Sequence, residues 1–241
     1  MPRWHSVFHN PFYLTRKRLF TAIRDNAHFL TGNILDFGCG TKPYMSLFNY
    51  NQYIGVDYET EVSARNTGLR ADVFYDGKNI PFPDNHFDAA FASEVLEHVF
   101  NPDEVLQELY RVVKPGGRIM ITCPFFWPEH EQPYDYARYT SFGLKHLVEK
   151  NGFSVVNYEK TGSYFECLLQ GMVAYIYFLI PHRPRVLEAL CFFLFISTWF
   201  IPALALNKIL PKKVKRSDYY LNNLVVMEKP ATPSGSRGSV A

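Results

Sequence analysis

The sequence predicts an α/β fold, a mostly parallel sheet with helices on both faces, from two observations. Short apolar runs that read as buried strands recur at Ile34–Phe37, Tyr53–Val56, Phe87–Phe91, Arg118–Cys123 and Phe153–Tyr158. Between several of them stand stretches whose apolar residues recur at helical spacing, and strands alternating with helices imply a sheet built by crossover connections.

The elements follow in order. Asn10 and Pro11 resemble a helix start, and Leu14, Leu19, Ile23 and Phe29 or Leu30 continue at helical spacing up to Gly32. The stretch Ile34–Gly40, ILDFGCG, joins a central-strand pattern to Asp36 and to Gly38 and Gly40. Those glycines let the backbone turn sharply and approach a ligand with no Cβ in the way. Thr41–Pro43 makes a polar turn, and the second strand, Tyr53–Val56, ends in Asp57. After Phe87–Phe91 comes the helix-forming SEVLEHV, and Pro102–Val113 places Val105, Leu106, Leu109 and Val112 on one helical face. Lys114–Gly117 ends that helix: Pro115 cannot continue it, and the glycine pair permits a reversal into Arg118–Cys123. Thr140 or Ser141 caps a helix running to about Lys150, Asn151 and Gly152 end it, and Phe153–Tyr158 follows as a strand. Asn223–Glu228 reads as the last strand, and Ala231–Ala241, rich in Ser, Gly and Pro, reads as a disordered tail.

The 241 residues suffice for one principal domain with an appendage. A net charge of +2 is too mild to suggest nucleic acid, the basic residues being spread out except in Lys212, Lys213, Lys215 and Arg216. Cys39, Cys123, Cys167 and Cys191 are far apart and form no CxxC, which fits a reducing cytosolic compartment. Met1–Asn10 lacks the charged start and apolar run of a secretory signal, so the amino terminus is expected on the cytosolic side.

In an open parallel sheet the ligand lies outside the carboxyl ends of the strands. The polar residues that gather there are Asp36, Gly38 and Gly40, then Asp57, Asp72 and finally Ser93 and Glu94. Asp57 stands about twenty residues beyond the glycine turn, where a carboxylate can accept both hydroxyls of a ribose, and a nucleoside ligand is expected.

The segments ILDFGCG, YIGVDY, AD, IPFPDNHFDAAFASEVLEHV and LYRVVKPGGRIMI resemble, in order and spacing, class I S-adenosylmethionine-dependent methyltransferases of the ubiquinone-biosynthesis type, methyltransferase type 11. The resemblance covers roughly Ile34–Tyr158, and IPFPDNHFD, SEVLEH and LYRVVKPGG are its most specific parts. It implies a Rossmann-like, mostly parallel seven-stranded sheet and S-adenosyl-L-methionine as cofactor. By position, Gly38 and Gly40 would approach the methionine part, Asp57 the ribose, Asp72 with Val73 the adenine, and Asp36 and Ser93 the amino-acid end. Many members carry a third glycine where Lys42 stands here, followed by Pro43, so an altered loop shape is expected.

An acceptor hydroxyl must be held in line with the transferred methyl and must lose a proton. The segment after Cys123, PFFWPEHEQPYDYARYT, carries His130, Asp135 and Arg138. It is similar to the segment that follows this strand in methyltransferases found among bacterial cell-surface polysaccharide enzymes. His130 is the expected general base, imidazole being suited to proton transfer at neutral pH, with Asp135 and Arg138 beside it. The alternative is a lid in which these three side chains hydrogen-bond one another. Glu97 and His98 lie in SEVLEHV, where His98 reads as a packing or hydrogen-bonding residue. No second histidine stands at ligand spacing from His130, so no metal is expected.

Two apolar stretches, Tyr164–Pro181 and Val186–Leu210, are inserted before the last strand. Both approach membrane length, but Glu166 and Gln170 interrupt the first, and two crossings would put Arg183 and Arg185 on the far side. A helical hairpin lying in the cytosolic leaflet is expected, with Lys212–Arg216 meeting anionic headgroups, against the alternative of a buried helix pair or a homodimer interface. The expected organisation is a catalytic domain from 1–163 and 218–230, an apolar helical insertion over 164–217 and the tail over 231–241. The expected activity is O-methylation of a sugar, polyprenyl-linked glycan or other lipid-associated small acceptor. The alternatives are a quinone or small-lipid C- or O-methyltransferase, and a non-catalytic cofactor-binding membrane anchor.

Overall fold

The computed structural model describes residues 8, 10–58, 68–179, 185–209 and 218–231. The cluster Lys212–Arg216, Arg183 and nearly all of the proposed tail lie outside the described residues. Seven strands form one sheet: β1 (Thr31–Phe37), β2 (Asn49–Tyr58), β3 (Val73–Tyr75), β4 (Phe87–Ser93), β5 (Val113–Pro124), β6 (Ser154–Thr161) and β7 (Asn222–Glu228), in the order β3-β2-β1-β4-β5-β7-β6. The pairs β1–β2, β1–β4, β2–β3 and β4–β5 are parallel. At the other edge Gly116 and Gly117, early in β5, bond to Lys229 just past the end of β7, so β7 runs opposite to β5. The helices are α1 (Tyr13–Asn26), α2 (Pro102–Val112), α3 (Ser141–Lys150), α4 (Tyr164–Leu179), α5 (Arg185–Phe195) and α6 (Ile201–Ile209), with a π turn at Ile196–Phe200 between the last two. Pro202 has no N–H to give the carbonyl four residues back, and the widened turn stands just before it.

The chain divides into two compact units. One comprises Ile23–Pro124, Pro128–Glu159 and Asn223–Ala241, the other Met1–Ala22, Phe125–Trp127 and Lys160–Asn222. In the sheet unit the core gathers Leu35, Phe87, Ala90 and Ile121 from the strands with Leu106, Leu109 and Val112 from α2. The predicted face of α2 is thus the buried one, and Thr140 caps α3 by accepting the Gly143 N–H at 3.1 Å.

Three local expectations change. SEVLEHV is not an α-helix: Glu94 sits at φ 56, Val95 is non-helical, and Leu96–His98 makes only a single 3-10 turn. Lys114–Gly117 is not a turn between helix and strand. The strand opens directly at Val113, opposite Phe87, and the KPGG residues bulge within it before Arg118 pairs with Ala89. Gly117 is required there, because a Cβ on it would stand 2.8 Å from the Asp88 carbonyl oxygen. The first helix ends at Asn26, and after a 3-10 turn β1 begins at Thr31, earlier than its apolar run.

IPFPDNHFD is shaped by one guanidinium. Arg111 donates from Nη1 to the Phe82 carbonyl (2.8 Å) and Asp84 (2.9 Å), from Nη2 to the Ile80 carbonyl (2.9 Å), and from Nη2 and Nε to Glu108 (2.7 Å each). Glu108 in turn accepts the Ile80 N–H at 2.8 Å. The planar fork of arginine satisfies loop carbonyls that would otherwise lack partners.

In the other unit, Tyr13 and Leu14 of α1 share a core with Cys167, Leu169 and Val173 of α4 and with Phe192, Ile196 and Phe200. The polar residues that interrupt the first apolar stretch are consumed here. Glu166 pairs with Arg18, and Gln170 donates to the Pro11 carbonyl at 2.8 Å. On the opposite side of α4, Leu168, Met172, Tyr175 and Leu179 are about half exposed or more. The segment Leu190–Asn207 has a mean hydropathy of 1.9 with 22% of it buried, long and apolar enough to cross a membrane. The connection that would close a hairpin, residues 180–184, lies outside the described residues.

Replacing Arg111 with Met should destabilise the domain by about 3 kcal/mol, since charged hydrogen bonds are lost and Glu108 is left without its partner. Arg111→Lys should restore less than half of this, having no fork. Urea denaturation of both variants checks it.

Candidate functional site

The strand order reverses between β1 and β4, so their carboxyl ends diverge and leave a crevice between the loops that follow them. From β1 the chain enters the glycine turn. Gly38 has φ 70 and a Cβ there would lie 2.4 Å from Val95, so only glycine fits. Gly40 has φ 49 with open space where its Cβ would stand. Its N–H donates to Asp57 Oδ2 at 2.7 Å, and its carbonyl accepts the Arg70 N–H at 2.8 Å.

Lys42, the departure from a glycine-rich turn, has φ 53. It adopts the left-handed conformation that glycine takes freely, at a cost of about 1–2 kcal/mol. The ammonium pairs with Asp72 across Gly55, where any Cβ would stand 2.3 Å from Lys42 Cε.

The predicted cofactor residues fall as follows. Asp36 is buried near the end of β1 and accepts the Tyr53 hydroxyl at 2.7 Å. Burial pushes its carboxyl up to about 7, against the opposing pull of Tyr53 and Lys42. Asp57 ends β2 beside the glycine turn, its Oδ1 accepting the Tyr58 N–H. Ser93 ends β4, its hydroxyl 2.9 Å from Thr122 Oγ1, which donates to Glu94. Asp72 and Val73 stand at the amino-terminal start of β3, and Asp72 is tied to Lys42 and to the Gly55 N–H. The residue at the carboxyl end of β3 is Asp76, which the sequence reading passed over. It accepts the Lys78 and Asn79 N–H groups at 2.8 and 3.0 Å, and these hold its carboxyl below the usual range. Its position just after β3 is the signal that finds it.

His130, Asp135 and Arg138 come together. The Asp135 carboxylate is held by both Arg138 nitrogens at 2.6 Å, accepts the His130 N–H at 2.9 Å and lies 3.1 Å from His130 Nδ1. The guanidinium holds that carboxyl well below its ordinary pKa. Arg138 also donates to the Pro128 and Ala137 carbonyls, fixing the loop. An open groove of about 310 Å³, lined by Glu129, Gln132, Pro133 and Asp135, borders it.

The lack of a second histidine beside His130 holds only for spacing along the chain. His98 lies edge-on to His130 with ring centroids 4.7 Å apart, because the Tyr136 N–H bonds the Glu97 carbonyl and draws the loop onto the 3-10 turn.

Residues 35–121 match the family described as a methyltransferase domain. This segment is thus similar to class I S-adenosylmethionine-dependent methyltransferase domains. The sterol 24-C-methyltransferase erg-4 of Neurospora crassa is 32% identical over 136 residues, 47% of this chain and 35% of its own. The ubiquinone/menaquinone biosynthesis C-methyltransferase UbiE of Psychromonas ingrahamii is 35% identical over 83 residues, 33% of each chain. The chain thus spans about a third of the length of these curated relatives. Among solved structures the [4+2]-cyclase SpnF superposes with a TM-score of 0.55 at 22% identity, over 89% of this chain and 82% of that one, which shows a shared fold. Within the matched segment the glycine turn, the open space at Gly40 and the carboxylates of Asp36, Asp57 and Asp76 could hold a ligand carrying a cationic amine, a ribose diol and an adenine amine.

Two outcomes follow. Because its folded pKa is raised, Asp36 contributes stability that is full below its ordinary value of 3.8 and is lost as the pH rises through about 7. Asp36→Asn should remove that decline between pH 4 and 7, as read by urea midpoints across pH. Gly38→Ala should weaken S-adenosylmethionine binding by at least about tenfold, as strain of 1–2 kcal/mol adds to the clash with Val95, and calorimetric titration reads it directly.

Proposed function

We propose that the protein moves a methyl group from S-adenosylmethionine to a hydroxyl of a sugar, polyprenyl-linked glycan or other lipid-associated small acceptor, at the cytosolic face of a membrane. The observation that carries the chemical part is the His130–Asp135–Arg138 array, which stands in the same unit as the carboxylate edge and the glycine turn. S-adenosylmethionine supplies an electrophilic methyl carbon on a sulfonium. Asp57 is proposed to bind the ribose and Asp36 and Ser93 the amino-acid end, with Asp76 better placed than Asp72 and Val73 to face the base. Asp135 takes the Nδ1 proton of His130 as a hydrogen bond and leaves Nε2 as the acceptor for the hydroxyl proton. The hydroxyl oxygen forms the new C–O bond, the proton passes to His130, and the C–S electron pair stays with sulfur. Arg138 is a positioning residue that fixes Asp135.

The membrane part rests on the exposed apolar side of α4 and on Leu190–Asn207, of which 22% is buried, since exposed apolar patches of this kind mark membrane or partner contacts. A quinone or small-lipid acceptor is the second reading, favoured by the sterol and quinone methyltransferases among the relatives. A homodimer through α4 and α5 is the other way to cover the apolar face.

His130→Ala should lower turnover by about 10²- to 10⁴-fold with S-adenosylmethionine affinity retained, measured with labelled cofactor and extracts of glycans and lipids. Unchanged turnover removes His130 from this role. Cofactor binding with no transfer to any extract favours a non-catalytic module. For the membrane, the protein should resist high-salt washing of membranes and yield to detergent, and Met172→Glu with Tyr175→Glu should shift it to the soluble fraction. Release by salt alone, or a dimer lost in the same double variant, argues for the other arrangements.

A further inference from the structure

The geometry points to a divalent-cation site formed by Glu97, His98 and His130. Their ligand atoms lie within 4.8 Å of one another. Glu97 is fully buried, and among the described residues neither of its carboxylate oxygens has a hydrogen-bond partner. A buried carboxylate without partners is costly, and such groups are normally paired or bound to a metal. His98 Nδ1 lies 2.8 Å from the Tyr134 carbonyl oxygen, which requires the proton on that nitrogen and leaves Nε2 as a lone pair, 3.9 Å from Glu97 Oε1. His130 Nδ1 faces Asp135 Oδ2 at 3.1 Å, with Arg138 Nη2 more distant at 3.4 Å, so its Nε2 is likewise presented. Each imidazole is therefore oriented through its second nitrogen by an oxygen acceptor, the arrangement that fixes histidine ligands around metals.

Two imidazoles and one carboxylate suit zinc, manganese, iron(II) or cobalt(II) rather than calcium. Metal–ligand bonds of about 2.0–2.2 Å require the three side chains to draw in modestly, which the two partly buried histidines permit. Glu131 Oε2 lies 3.9 Å from His98 Nε2 on an exposed side chain. Three protein ligands leave positions open for an acceptor oxygen, whose proton a bound cation would make easier to lose. This deepens the functional reading and rests on it for the chemistry: with the cation bound, His130 promotes proton loss as a ligand, and the proton leaves to solvent.

The test uses the full chain after dialysis against a chelator. Titration with cobalt(II) alone should give one saturable site per chain with visible d–d bands. His98→Ala and Glu97→Gln should each weaken it by about 100-fold or more. Glu97→Gln also guards against misfolding: a neutral side chain of the same shape in this buried position should leave the metal-free melting temperature nearly unchanged while abolishing the rise on adding cobalt. Absence of a saturable site, or unchanged affinity in both variants, overturns the proposal. Chelated protein that methylates at full rate overturns the cation's part in the chemistry and returns His130 to the role of base. Cobalt binding in a protein with no methyl transfer upholds the site and fails the functional reading instead.

Discussion

The parallel pairing of β1 with β4 is the constraint on which the rest depends. With Asp36 opposite Phe91 in that register, the glycine turn leaving β1 and the segment Ser93–His98 leaving β4 emerge on the same edge and diverge. One side of the crevice then carries the glycine turn and the Asp57 carboxylate that accepts the Gly40 N–H, and the other carries Ser93, Glu94 and the 3-10 turn. Gly38 and Val95 mark where the two sides touch, and that contact tolerates no Cβ. The crevice position follows from strand order, while its chemistry comes from the loops.

The sheet unit is held by charged side chains that serve backbone groups more than by pairs between side chains. Arg111 closes the loop before β4, and the Lys229 ammonium donates to Asn85 and to the Tyr110 and Val113 carbonyls at the far edge. Asp88 accepts the Asn33 N–H while bound to Lys114. Each closes an irregular stretch against a strand end, where the ladder offers no partner. The residues that make IPFPDNHFD and LYRVVKPGG recognisable are therefore largely scaffold. They identify the domain and say nothing about the acceptor.

Much of this was legible in the sequence. All seven strands but β3 lie at apolar runs, and the α2 face was read correctly because its residues repeat at helical spacing against a buried sheet. Strand-ending carboxylates were legible because burial of a strand stops where polarity resumes. Asp76 was passed over because β3 is only three residues long and its apolar signal is weak, so the assignment went to Asp72 at the start of that strand. KPGG was misread because proline and glycine signal a turn equally well whether the chain reverses or bulges within a strand. The approach of His98 to His130 had no sequence signal, since a backbone hydrogen bond between loops from two different strands creates it. SEVLEHV looked helical by composition, but the left-handed Glu94 sets a direction no helix could follow.

The glycine turn is gripped on three sides before any ligand arrives: Gly40 N–H on Asp57, the Arg70 N–H on the Gly40 carbonyl, and Lys42 on Asp72. A carboxylate has lone pairs enough to hold that N–H and still accept ribose hydroxyls, so a nucleoside adds to the grip without breaking it. Little loop entropy remains to be lost on binding. A nucleoside docking at this edge would therefore find its contacts already formed, and one that had given up its methyl would be held by the same grip as one that still carried it.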